Sequence, residues 1–173
     1  MTLYADAADP IGHAVRIVLA EKDVNVEVAF VTDETKPEDL HDLNPYHALL
    51  TLIDRDLVLY DAQVMLEYLD ERYPHPPLMP VDPVSRANNR QIRARLTRDL
   101  LSLAERVGGT DAGMADEARR AIGDNLHAIA PALAQRAYFL SDEYSLVDCC
   151  LAPLLWRLPS YGIKLMPQAK PLL

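Results

Sequence analysis

Five of the ten residues from 74 to 83 are proline, and this segment constrains the chain more than any other. Each proline fixes φ and lacks an amide hydrogen, so neither a helix nor an inner strand can run through Pro74, Pro76, Pro77, Pro80 and Pro83. The chain must break there, with residues 1–73 forming one domain, 74–83 a linker and 84–173 a second domain. The approach to the linker, LVLYDAQVMLEYLDERY, reads as a short strand, an acidic helix start at Asp61 and a helix. Val64, Met65, Tyr68 and Leu69 recur at helical spacing, which predicts one buried stripe and leaves Glu67, Asp70 and Glu71 in water. His75 stands among the prolines, where its imidazole is presented rather than packed. The plain alternative is a stiff spacer whose histidine simply faces solvent.

Upstream, Leu3-Tyr4 is a brief strand, followed by a loop to Gly12 and a helix with Val15, Val18 and Leu19 on one face. VEVAFV (26–31) alternates, placing Val26, Val28 and Phe30 on one side of a second strand. Pro37 suits the first turn of a short helix presenting Leu40 and Leu43. LLTLID and LVLY form a hairpin through Asp54-Arg55-Asp56. The order is βαβ then αββα, a thioredoxin-like domain with a mixed sheet. Beyond the linker the chain reads as all helix, giving an α+β domain followed by an all-α domain. Val84, Ile92, Leu96, Leu100, Leu103 and Val107 form one stripe, with arginines at 86, 90, 93, 95, 98 and 106 around it. A second long helix carries Ile122, Leu126, Ile129 and Leu133, and Pro131 should end or kink it. Ser145 and Asp148 have the spacing of a capping box, with Tyr144 placed to pack on Cys149.

The formal charge of −9 argues against bare nucleic acid as the main partner and favours basic protein partners, or a surface that merely stays solvated. The arginine-rich helix could hold an acidic ligand, but its arginines interleave with Asp99 and Glu105, as on an ordinary solvated face. No apolar run approaches the ~18 residues that span a membrane, and MTLYADAADP lacks a signal-peptide pattern. A soluble, cytoplasmic protein is the expectation. The two cysteines, Cys149 and Cys150, are adjacent among leucines and valines and read as reduced core residues. The five histidines lack metal-ligand spacing, so no metal and no cofactor are expected.

The order of elements resembles the glutathione-transferase family. The wording YPHPPLMP and SLVDCCLAPLLWRLP is similar to the stringent starvation branch of transferase-like proteins, which bind RNA polymerase and regulate transcription. A transferase needs a hydroxyl or thiol after its first strand, a cis-proline before its third strand and an acidic-serine pair opening its third helix. Here the loop ADAADPIGHAV has no such group, and Tyr4 is the nearby hydroxyl. Leu50 stands where the family has proline; a cis bond before it would cost ~3 kcal/mol, so a trans bond is expected. The helix opens on Asp61-Ala62, without the serine. The resemblance therefore implies a degenerate glutathione site and a regulator without catalysis. The alternative is a glutathione-dependent transferase or isomerase using Tyr4.

In the stringent starvation branch, Pro74-His75-Pro76 matches a surface motif required for transcription activation. Asp82 replaces a tyrosine that relatives carry beside it. The resemblance also implies docking on RNA polymerase holoenzyme as a homodimer, with Met65, Leu69 and arginines of the fourth helix as interface candidates. Family members continue with further helices beyond WRLP, so the C-terminal domain reads as truncated, with Leu151, Leu155 and Leu158 short of cover.

Overall fold

In the computed structural model, which describes residues 1–133, 136–139 and 141–165, Leu3 and Ala5 fix how the sheet faces. Both are fully buried, whereas Thr2 and Tyr4 on the opposite face are half-buried. They belong to β1 (Thr2–Ala5), followed by α1 (Pro10–Glu21), β2 (Glu27–Phe30), α2 (Glu38–Leu43), β3 (Thr51–Asp54), β4 (Leu57–Leu59) and α3 (Ala62–Arg72). The sheet runs β2-β1-β3-β4, with β1 parallel to β2 and the other pairs antiparallel. This is the mixed sheet that the element order predicts, and α1 makes the crossover a parallel pair requires. Val15, Val18 and Leu19 from α1 and Met65, Leu66 and Leu69 from α3 supply the core, and the two helices pack on one another. These elements make up one compact unit, Met1–Pro77.

Several expectations are corrected in this unit. Phe30 is exposed, because it ends the edge strand; the Arg16 guanidinium lies 5.1 Å from its ring, and Val31 turns inward instead. Pro37 precedes α2 as its cap residue, and in so short a helix only Leu40 is buried while Leu43 faces out. The hairpin turn is the pair Arg55-Asp56, since Asp54 faces Leu57, and Arg55 takes the left-handed conformation with φ 56°. On α3 the buried stripe is Met65, Leu66, Leu69 and Asp70, and Val64 is exposed. Asp70 therefore does not stay in water. Met65 and Leu69 are fully buried, so they cannot carry an interface with a second copy.

In the second unit, Leu78–Leu173, the described elements are helices. It comprises α4 (Pro83–Leu96), a π-helical turn (Thr97–Leu101), α5 (Ser102–Val107), α6 (Ala112–Leu133) and α7 (Leu146–Arg157). The π turn explains why the expected stripe slips. One extra residue per turn lets adjacent Leu100 and Leu101 both face inward, after which Ala104 and Val107 are buried and Leu103 only partly so. Val84, in the first turn of α4, is exposed. Arg93 is not on the wet face; it is fully buried and its Nε donates to Asn89 Oδ1 at 2.9 Å. Ile122 and Leu126 are buried as expected, and the side chain of Leu133 lies outside the described residues. Pro131 lies inside the helix, which the described residues follow as far as Leu133.

The capping box at α7 forms as the spacing predicts. Ser145 Oγ accepts from the Val147 amide, and Asp148 Oδ2 accepts from the Ser145 amide at 2.9 Å. The other oxygen of Asp148 accepts from the Phe139 amide at 2.8 Å, so one carboxylate ties the preceding segment to the helix start. Tyr144 meets Cys149 as expected, the thiol donating to its hydroxyl at 3.4 Å. Cys149 and Cys150 are free and buried. Leu151 and Leu158 are buried and Leu155 half-buried, so the expected gap in their cover is absent; α7 packs on α4, and residues 166–173 lie outside the described residues.

Candidate functional site

The positions that would form a glutathione site lie around the N-termini of α1 and α3. Asp9 caps α1, its carboxylate accepting from the amides of Ile11 at 2.8 Å and Gly12 at 2.7 Å. A helix N-terminus favours an anion, and here the chain supplies its own. Gly12 permits the close fit. A Cβ there would meet Asp9 Oδ2 at 3.1 Å, Ala5 Cβ at 3.2 Å and Leu50 Cδ1 at 3.5 Å. The Leu50 side chain therefore packs at the head of α1, and the peptide bond leading into it is trans. Tyr4 pairs with Thr51 across the sheet and is half-buried. Asp61 is an exposed cap on α3, accepting from the Val64 amide at 3.0 Å, and Ala62 brings no hydroxyl.

Sequence reasoning missed the residue that shapes the loop before β3. Asn44 is fully buried; its amide nitrogen donates to the Ala48 carbonyl at 2.9 Å and to Thr51 Oγ1 at 3.2 Å, while its oxygen accepts from the Tyr46 amide. The Asn-Pro pair at 44–45 was the signal, since it favours turn initiation. Around that loop, His41 and His47 stack with ring centroids 3.7 Å apart, and Tyr46 meets Tyr60 edge-on.

The Pro74–Pro77 loop leaves the other end of α3. Eleven residues separate the two ends, about 16 Å at 1.5 Å per residue, so Asp61 and His75 do not share a site. All four residues of the loop are exposed, and the His75–Pro76 bond is cis. The loop is nevertheless anchored. Lys22, at the C-terminus of α1, donates its ammonium to Asp70 Oδ1 at 2.6 Å and to the Pro76 carbonyl at 2.5 Å.

Asp82 is the N-cap of α4, accepting from the Ser85 amide at 2.9 Å. That hydrogen bond holds its carboxyl below the usual carboxylate range. Asp82 is therefore not a vacant seat for an aromatic ring, because a tyrosine there would remove the cap. Two arginines of α4 are already engaged. Arg93 is buried and Arg95 lies 3.7 Å from Asp99 beside a hollow lined mainly by Ile92, Leu96, Leu100, Ile129 and Phe139.

Residues 10–72 match the glutathione S-transferase N-terminal domain family and residues 65–173 the glutathione S-transferase C-terminal domain family. The structure aligns with that of a glutathione S-transferase domain-containing protein of Marinobacter aquaeolei VT8 at a TM-score of 0.86, covering 99% of this chain and 93% of that one. At 18% identity, that likeness shows the fold alone. Sequence similarity reaches further. The chain is 50% identical to the stringent starvation protein A homolog of Pasteurella multocida, over 94% of this chain and 77% of the relative. It is 44% identical to the stringent starvation protein A homolog of Coxiella burnetii, over 98% and 81%. The chain belongs to the stringent starvation protein A family and carries the two glutathione S-transferase domains.

Proposed function

We propose that this protein is a non-catalytic regulator that docks on RNA polymerase holoenzyme through the Pro74–Pro77 loop and acts as a cytoplasmic homodimer. The observation that carries the reading is the exposure of all four loop residues, in a chain half identical to a stringent starvation protein A homolog. A loop built of prolines loses little entropy when captured, and His75 offers both a donor and an acceptor. The absence of catalysis is supported by Asp9 and Leu50. A carboxylate and a leucine occupy the head of α1, where a transferase would steady an anionic thiolate. Saturating glutathione is accordingly expected to leave the melting temperature unchanged, whereas any bound ligand would raise it. A rise that disappears in Tyr4→Phe would restore the transferase or isomerase reading.

The docking role is tested with His75→Ala. The substitution removes the imidazole and keeps the Pro76 carbonyl that Lys22 holds. Pull-down of RNA polymerase is expected to be lost while the melt stays within ~0.5 kcal/mol of wild type, as for other exposed positions. Equal polymerase recovery by the variant and the wild type would refute docking through this loop.

A further inference from the structure

We infer that Lys22 and Asp70 form a buried latch that sets the shape of the Pro74–Pro77 loop and thereby positions the imidazole of His75. The loop is poorly equipped to anchor itself. Pro74, Pro76 and Pro77 have no amide hydrogen, so His75 carries the one backbone donor in four residues. What the loop offers instead is carbonyl oxygen, and the Lys22 ammonium reaches that of Pro76 at 2.5 Å. The Lys22 side chain is wholly buried, and a lysine charge is tolerable there only with a partner. Asp70 is that partner at 2.6 Å, in the last turn of α3, with its own side chain nearly buried. One ammonium with three donors thus joins the end of α1, the end of α3 and the exposed loop. Lys22 and Asp70 are positioning residues: neither faces a partner, and both act through the backbone of Pro76. The consequence for a partner rests on the docking role proposed above, but the latch itself does not.

The test is nuclear magnetic resonance on Lys22→Met combined with Asp70→Leu, which removes both charges and keeps an apolar filling. The His75 amide is expected to fall from the order of a rigid backbone, about 0.85, to below about 0.6, with the amides of α1 and α3 unchanged. Asp70→Asn, which leaves Lys22 an oxygen acceptor, is expected to keep His75 ordered. A pair that served only to glue α1 to α3 would leave the His75 signal alone, and an unchanged His75 in the double variant overturns the latch. Polymerase pull-down by the same protein is expected to drop several-fold. Loss of His75 order with full polymerase recovery would sustain the latch and sink the docking role. Should the double variant fail to fold, the wild type decides. Lys22 is one of only four lysines, so its side-chain nitrogen signal is readily assigned. A resolved, slowly exchanging ammonium coupled to the Pro76 carbonyl is expected, and a solvent-averaged signal like that of a surface lysine would refute the latch.

Discussion

Lys22→Met alone is expected to destabilise the first unit by about 3–5 kcal/mol, the cost of leaving one charge of a buried pair without its partner. Asp70→Leu alone should do the same in the opposite sense, stranding the ammonium. The double variant should recover most of the loss, because a well-packed apolar replacement of a buried ion pair is often neutral or better. The magnitude follows from burial: the Lys22 side chain is fully sequestered and that of Asp70 nearly so. An exposed pair such as Lys36–Asp33 would be worth at most ~1 kcal/mol. The measurement must read the first unit directly. The single tryptophan, Trp156, lies on α7, so its fluorescence follows the second unit. Hydrogen exchange of β1 and α1 amides against urea follows the first. A loss below about 1 kcal/mol in both single variants would mean that water reaches the pair.

Asp148→Ala is expected to cost about 3 kcal/mol, more than the ~1 kcal/mol of Ser145→Ala at the cap position itself. The usual ranking is reversed because Asp148 does two jobs. One oxygen holds the Ser145 amide at 2.9 Å and the other the Phe139 amide at 2.8 Å, and hydrogen bonds to a charged group contribute about 1.5–3 kcal/mol each. Ser145→Ala removes one acceptor at the start of α7 and leaves both of these in place. Trp156 fluorescence during urea unfolding compares the two variants. Equal losses would show that the Phe139 contact adds nothing to the capping box.

The backbone pattern of this chain was legible because it rests on local signals. The proline run, the alternation of VEVAFV and the Ser145–Asp148 spacing each fix a structure within a few residues. The errors have a different origin. Asp70 lies four residues after Leu66, on the buried face of α3, but charge alone suggested water; its partner lies 48 residues away, beyond the reach of any local pattern. Charge likewise suggested a wet face for Arg93, which is buried with its Nε donating to Asn89 one turn earlier. The capping role of Asp82 was hidden because it depends on where α4 begins. The Asp9-Pro10 pair is itself a local signal for the start of α1, and its carboxylate fills the head of the helix where the loop lacks a hydroxyl.

The wide turn at residues 97–101 also sets the phase of α5 against α4. One residue inserted into a helix rotates everything after it by about 100°. Before the turn, Arg93 is withdrawn from the surface and Arg95 lies beside Asp99. A polyanion tracks a continuous stripe of charge. With one arginine sequestered and another beside a carboxylate, the stripe is interrupted, which leaves the helix suited to separate, short-range contacts rather than to a phosphate backbone.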